Sequence, residues 1–148
     1  MTATTTHPAP TSAAEPTVRT ASLADPAFQA FTLLRTVFTV APILFGLDKF
    51  AHWLVDWDIY LAPEFADLTN ADPHTLMYAV GAIEIVAGLV VAVRPRFGGY
   101  LVAAWLAGII VNLLLMADFY DIALRDFGLL VGALALARLA TAFPVGRR

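Results

Sequence analysis

The chain lacks several residue types and motifs on which common chemistries depend. Its 148 residues include no cysteine, which excludes disulfides, thiolate metal sites and thiol–disulfide exchange by the chain itself. Charged residues make up only 14% of the sequence, about half the share in an ordinary soluble domain. Dinucleotide-binding, P-loop, zinc-protease and serine-hydrolase motifs do not occur. None of the three histidines falls inside an apolar segment, so we predict no haem and no metal site.

Apolar residues are abundant and concentrated in four long segments. They make up 59% of the chain, above the roughly 45–50% of soluble domains. The segments run from Phe28 to Leu47, Leu76 to Val93, Phe97 to Met116 and Phe127 to Phe143. Each has about the 17–25 residues that a helix needs to cross a bilayer core. We therefore predict an all-α membrane protein, a bundle of four transmembrane helices over about 28–50, 74–93, 97–116 and 122–143.

The membrane domain is predicted to cover residues 27–145 and to follow a tail over residues 1–26. The tail consists mostly of Thr, Ala, Pro and Ser, without the basic and apolar regions of a secretory signal. Such a segment buries too little apolar area to offset the entropy of ordering it. We expect the tail to be disordered.

Lysine and arginine are distributed unevenly between the two ends of the predicted bundle. An even number of helices places both termini on one side. That side carries seven Lys and Arg residues, against two on the other, Lys49 and Arg125. The positive-inside rule then places both termini in the cytoplasm. The outer loops carry nine acidic residues, so we do not expect nucleic-acid binding, which needs a basic surface.

The outer loop over residues 51–72 is amphipathic. Its segment Trp53–Leu61 has apolar residues near helical spacing, which predicts a short interfacial helix that ends or kinks at Pro63. The aromatic residues that favour a membrane–water interface are Trp53, Trp57 and Tyr60. The loop is either an aromatic anchor on the outer surface or a lid over a site between the helices.

Each predicted helix has one face of small or polar residues. Small residues let helices approach closely in lipid, so we expect these four faces to turn inward and to enclose a polar interior. The glycines predicted at close helix contacts are Gly46, Gly81, Gly88, Gly108, Gly128 and Gly132.

Glu84 is the acidic residue inside the predicted membrane. It lies roughly 12 Å from the outer end of its helix, where a lone charge costs at least about 2.5–3.5 kcal/mol. We expect it to be protonated or paired, with Arg35 and Arg125 as reachable partners. It either locks the bundle structurally, or it relays a proton or binds a polar head group. The candidate ligand or proton-site residues are Glu84, Arg35, Arg125, Asn112, Lys49 and Asp48.

Short motifs in the chain resemble the DoxX-like family of small four-helix bacterial membrane proteins. They are Leu34-Arg35, Gly46-Leu47-Asp48-Lys49-Phe50, Gly81-Ala82-Ile83-Glu84 with Gly88, and Arg125-Asp126, within about residues 28–143. That family includes subunits linked to thiosulfate:quinone oxidation and terminal oxidases, maturation factors for periplasmic redox enzymes, and members without a known role. The resemblance implies a redox association in the bacterial cytoplasmic membrane, with quinone as the candidate cofactor. It does not imply that this chain is itself catalytic.

Three functions are compatible with these features. The first is an accessory, quinone-proximal membrane subunit of a respiratory or redox system, in which Glu84 acts with Arg35 and Arg125. The second is a non-catalytic scaffold or maturation factor in the bilayer that holds a redox enzyme or exported protein through the outer loop. The third and weaker one is a small-solute carrier acting as a homo-oligomer, against which the absence of a broken helix pair argues.

Overall fold

The computed structural model describes residues 24–143, and every regular element in that part of the chain is a helix. The elements in chain order are α1 (Pro26–Ala51), a 3₁₀ turn (Trp57–Tyr60), α2 (Pro63–Thr69), α3 (Pro73–Val93), α4 (Pro95–Leu115) and α5 (Tyr120–Leu139). The expectation of an all-helical chain is confirmed for these residues. The tail expected to be disordered lies, up to residue 23, outside the described residues.

Proline begins four of the five α-helices, α1 to α4. Proline is well tolerated at a first helical position, because the N–H group that it lacks has no partner there in any case. Aspartate caps two of the same helices: the Asp25 carboxylate accepts from the Ala27 N–H at 2.9 Å, and that of Asp72 from the Thr75 N–H at 3.2 Å. Local sequence therefore sets where these helices start.

Three of the helices, α1, α3 and α4, are long and apolar enough to cross a membrane. Their exposed surfaces carry large apolar side chains such as Leu33, Val86 and Val111. An apolar exterior of this extent suits contact with lipid rather than with water. Helix α5 has a similar length of 20 residues but carries four charged ones, and by length and composition it is not among the three spans.

The long helices pack as antiparallel neighbours in the order α1, α3, α4 and α5, with the most extensive contacts between α1 and α3 and between α4 and α5. We call the end that carries residues 52–72 the loop end, and the opposite one the terminal end. At the loop end, the Tyr60 ring lies 4.9 Å from that of Phe119, beside the α4–α5 turn. At the terminal end, the rings of Phe28 and Phe143 are 5.4 Å apart.

Glycine lets α1 and α3 approach each other closely. A Cβ added at Gly46 would lie 2.6 Å from the Gly81 carbonyl oxygen, and one at Gly88 would lie 2.7 Å from that of Thr39. Glycine also lets α4 approach α3 closely, because a Cβ at Gly98 would lie 2.5 Å from the Val91 backbone. The bundle core is therefore built on contacts between backbones.

The expected close contacts at Gly108 and Gly128 are wrong. No atom of the described residues lies within 4 Å of a Cβ built at either position, and both glycines are exposed. Gly132, one turn after Gly128, instead faces the Phe38 ring, whose nearest atom is 3.3 Å from an added Cβ. The small-residue face of α4 is turned outward because Gly98 and Gly99, on a different face, make its close contacts.

The interior is apolar toward the terminal end and polar only toward the loop end. The apolar core is formed by Phe31, Phe38, Ala87, Val91, Val102, Ala103, Leu106, Ala133, Leu136, Ala140 and Phe143. The expected polar interior is therefore present only toward the loop end. The interior of a lipid-embedded bundle needs close packing, which small apolar residues supply as well as polar ones do.

The loop differs from the single short helix predicted over Trp53–Leu61. Its regular elements are the 3₁₀ turn and α2, and Pro63 begins α2 instead of ending a helix. The reason is again that proline fits the first position of a helix better than its interior.

Candidate functional site

Four charged side chains are buried in the described part of the chain: Asp48, Lys49, Glu84 and Asp126. They come from α1, α3 and α5. We refer to Lys49, Glu84 and Asp126 as the charge cluster. Burying charge is expensive unless it is paired and hydrogen-bonded. The partners of these side chains therefore indicate whether the cluster is fully satisfied within the protein.

Lys49 and Glu84 form a buried ion pair. The Lys49 Nζ lies 2.7 Å from Glu84 Oε2, and their side chains are 4% and 10% exposed. Glu84 is the twelfth residue of α3, about 16 Å along the axis from the first. Lys49 comes close to it because its Cβ packs at Gly81, three residues before Glu84. The lysine stem then extends along α3 toward the carboxylate.

The expected pairing of Glu84 with Arg35 or Arg125 is therefore wrong. The Arg35 guanidinium donates to the Ala92 carbonyl near the end of α3, toward the terminal end. The Arg125 guanidinium pairs with the neighbouring Asp126 at 3.0 Å, and its side chain is 65% exposed. Lys49 is the partner because the α1–α3 glycines bring its backbone against α3.

Two further side chains lie beside the Glu84 carboxylate. Asp126 is close enough to repel it electrostatically, and Trp105 on α4 directs its indole toward it. The Trp105 Nε1–H is buried, and it makes no hydrogen bond of normal geometry within the described residues. An indole N–H usually finds an acceptor when it is buried. The charge cluster therefore has a buried donor that is directed at its central acid without the geometry of a full hydrogen bond.

Asp48 positions a tryptophan over the buried pair. One oxygen of its carboxylate accepts from the N–H groups of Trp53 and Leu54, each at 3.1 Å, and the other accepts from the Trp57 indole at 2.7 Å. The Trp57 ring in turn covers Lys49, with Nζ 3.8 Å from the ring centroid. Such a cation–π contact is stronger when it is desolvated. Asp48 therefore acts through Trp57 rather than by contacting the charge cluster itself.

Asn112 fastens the same loop to α4. Its side-chain oxygen accepts from the Ala62 N–H at 2.9 Å, and its Nδ2 donates to the Tyr60 carbonyl at 2.6 Å. Without Asn112, the Ala62 N–H and the Tyr60 carbonyl would lack the hydrogen bonds that a regular helix provides. Asn112 thus holds the loop over the charge cluster and is not part of the cluster.

The three aromatic residues expected at the membrane interface have different surroundings. Trp53 is 86% exposed, as expected of an interfacial side chain. Trp57 is turned inward over Lys49, and Tyr60 packs on Phe119. Of the two interpretations of the loop, the position of Trp57 favours a lid.

Trp105 is the residue of this site that pattern reading from the sequence misses. It lies in the middle of an apolar helix, where a tryptophan is normally interpreted as a core residue. The available signal is the indole N–H itself, which needs an acceptor in any apolar environment. Asp126 entered the sequence interpretation within the Arg125-Asp126 motif, without a role of its own.

The charge cluster offers two kinds of chemistry. The Lys49 ammonium and the Trp105 N–H are donors for an oxygen acceptor, and Glu84 with Asp126 can hold or pass a proton. A polar head group with carbonyl oxygens fits this donor set.

Comparisons with protein-family models, curated proteins and solved structures found no match to this chain.

Proposed function

We propose that the chain is an accessory membrane subunit of a bacterial respiratory or redox system, DoxX-like in type, and that its charge cluster lies beside a quinone. It is not catalytic by itself. Its charge cluster binds the polar head group or passes a proton for a partner enzyme. The observation that carries this proposal is the buried Lys49–Glu84 pair with the buried Trp105 N–H directed at it.

The fourth crossing of the membrane in this proposal is α5. At 1.5 Å per residue its 20 residues span about 30 Å. Its outward face carries Leu124, Phe127, Val131 and Leu134. Its charges are placed compatibly with lipid. Asp121 and Arg138 lie in its first and last turns, Asp126 is buried, and the exposed Arg125 side chain is near enough to the loop end to reach the interface.

Four crossings put both termini on the same side. The lysine and arginine count of seven against two favours the cytoplasm for that side. The charge cluster then lies toward the outer face of the cytoplasmic membrane. Its lid residues Trp57 and Tyr60 lie at that face, where exported redox partners are found.

The segments on which the family resemblance rests support the same site. Gly46 and Gly81 form the close α1–α3 contact, and Lys49 and Glu84, from the same two motifs, form the buried pair. Asp126, from the Arg125-Asp126 motif, lies beside Glu84. Three separate segments of sequence thus contribute to one cluster of side chains.

A quinone head group presents carbonyl oxygens, which accept hydrogen bonds. Lys49 would donate to one such oxygen, and the Trp105 N–H is an available second donor. Glu84 would keep Lys49 protonated and oriented by its hydrogen bond. Trp57, held by Asp48, would exclude water from the pair.

The proposal is tested by replacing Trp105 with phenylalanine. Trp105→Phe removes the donor without leaving a charge unpaired, so the fold should be retained. We expect quinone co-purifying with the chain from its native membranes in mild detergent to fall about tenfold, as for loss of one good hydrogen bond. Mass spectrometry of the eluate measures the quinone and identifies co-purified proteins.

Trp53→Phe is the matched control, because it makes the same substitution at a side chain that is 86% exposed. It should leave the quinone content unchanged. A wild-type chain that retains neither quinone nor an oxidoreductase contradicts the proposal, and so does an equal quinone content in the Trp105→Phe variant.

A second candidate function is a scaffold or maturation factor that binds a partner through the loop. The observation that favours it is the exposure of Leu54 and Leu68, 68% and 80%, in a loop that also exposes the acidic residues Glu64 and Asp67. Apolar side chains rimmed by charges are typical of a protein contact.

Leu68→Ser tests this second function without disturbing the lid, because Leu68 makes none of the contacts of Trp57 or Asn112. We expect partner recovery in the pulldown to fall at least about fivefold, corresponding to an apolar contact of about 1 kcal/mol. The quinone content should stay constant. Equal recovery of partner proteins with Leu68→Ser and with the wild type would exclude this loop surface as the binding site.

A further inference from the structure

A second polar group lies at the loop end, outside the charge cluster. His52 follows the last residue of α1, Asp58 lies in the 3₁₀ turn, and His74 lies in the first turn of α3. One ligand atom from each of the three lies within 4.8 Å of the other two. The end of α1, the 3₁₀ turn and the start of α3 thus bring two imidazoles and a carboxylate together.

The spacing of these atoms fits a metal ion. His74 Nδ1 lies 2.9 Å from Asp58 Oδ2. Around an ion with ligand bonds of about 2.0–2.1 Å, neighbouring ligand atoms are roughly 2.9–3.4 Å apart. Asp58 and His74 are hydrogen-bonded at this distance, and an ion would replace that bond with the two atoms about 0.4 Å further apart, as in a tetrahedral site. The exposed ring of His52 stacks on that of His74, with centroids 5.0 Å apart, and must turn toward Asp58 to complete the set.

The second carboxylate oxygen of Asp58 also favours a metal ion at this position. Its Oδ1 is buried and has no hydrogen-bond partner among the described residues. A buried carboxylate oxygen without a partner is costly, and a cation bound by this carboxylate would compensate for it. The two oxygens of Asp58 together are available to one ion.

His74 also has the outer partner that metal-binding histidines usually have. Its Nε2 lies 2.8 Å from the Tyr78 hydroxyl, while its Nδ1 faces Asp58. A ligating imidazole that binds through one nitrogen commonly makes a hydrogen bond through the other, which fixes its ring. Tyr78 lies one turn further along α3, so the helix itself holds this arrangement.

We propose that His52, Asp58 and His74 bind a divalent transition-metal ion, and that Zn²⁺ is the ion they fit. Imidazole and carboxylate ligands suit Zn²⁺, and three protein ligands leave a further position for water. Because Asp58 is the neighbour of Trp57, the ion fastens the 3₁₀ turn to the ends of α1 and α3. The site thereby stabilises the Trp57 lid over Lys49, whatever the charge cluster itself binds.

The experiment uses the full chain in detergent, purified through a tag without histidine and freed of metal by a chelator. Zn²⁺ alone is the probe, and Co²⁺ is used in parallel because its visible spectrum reports its ligands. We expect one Zn²⁺ per chain. Asp58→Asn and His52→Asn are each expected to weaken its binding by about 100-fold or more, above the 10–100-fold typical of outer partners.

His7→Asn is the matched control, since it removes a histidine from elsewhere in the chain. It should leave the affinity unchanged. Zn²⁺ should also raise the melting temperature of the wild type and of His7→Asn, but not of Asp58→Asn. His52→Asn serves if Asp58→Asn does not fold, because the His52 side chain is exposed.

Three outcomes would overturn the proposal. One is a wild-type chain that binds well below one Zn²⁺. Another is an unchanged affinity in both Asp58→Asn and His52→Asn. The third is an equal loss in His7→Asn, which would identify the bound metal as adventitious. None of these results depends on quinone or on a partner enzyme, so failure here is distinguishable from failure of the proposed function.

Discussion

Lys49→Met is expected to lower the free energy of unfolding by about 3–5 kcal/mol, the largest effect that we predict for a single substitution. The reason is that Glu84 would stay buried in α3 without its partner. Asp126, which already repels the Glu84 carboxylate, would make the unpaired charge less favourable still. Unfolding in mixed detergent micelles, followed by tryptophan fluorescence, measures the change.

A double-mutant cycle separates the ion pair from the packing of the lysine stem. The second variant is Glu84→Met, and the double variant replaces both charges with apolar side chains. Since replacing a whole buried pair is often neutral, the double variant should be more stable than Lys49→Met alone. If the effects of the two single variants simply add, the Lys49–Glu84 pair does not hold the bundle as described.

Gly46→Ala is expected to have the second largest effect, lowering the free energy of unfolding by about 1–3 kcal/mol. The new methyl group would lie 2.6 Å from the Gly81 carbonyl oxygen. Because that oxygen belongs to the backbone of α3, it cannot rotate away, and α1 and α3 must separate. The same separation would lengthen the contact between Lys49 and Glu84, whose side chains bridge these helices.

Gly128→Ala is the matched control for this substitution. It adds the same methyl group at a helical glycine, but into open space, and it should leave the free energy of unfolding unchanged or raise it by up to about 1 kcal/mol, because alanine favours a helix more than glycine does. The same detergent unfolding assay compares both variants. Equal losses for Gly46→Ala and Gly128→Ala would contradict the α1–α3 contact as the cause, because the higher helix propensity of alanine predicts a gain in stability at an open position.

The positions of the helices follow from local features of the sequence. The length of the apolar segments predicts the spans, because a helix needs roughly 17–25 residues to cross a bilayer core about 30 Å thick. Pro73 and Asp72 mark the start of α3 because a first-position proline and a capping carboxylate satisfy the ends of any helix. Such signals act within a few residues and need no knowledge of the neighbouring helices.

The rotation of each helix does not follow from the sequence in the same way. In lipid both the buried and the outward faces are apolar, so the sequence of α4 does not distinguish them. The face with Gly108 has small residues, as has the face with Gly98 and Gly99. The tertiary structure buries the second face, because there the backbones of Val91 and Ala133 come into contact with α4.

Hydropathy and capping residues were enough to show a helical chain with apolar segments long enough to cross a membrane, and to show that Glu84 needs compensation for its burial. The packing of the helices was needed to show that Lys49 supplies it, that Trp57 covers the pair and that the Trp105 N–H is directed at the Glu84 carboxylate. It also brought His52, Asp58 and His74 together. The physical reason is that hydropathy and caps act locally, whereas ion pairs and ligand sets depend on which helix faces meet.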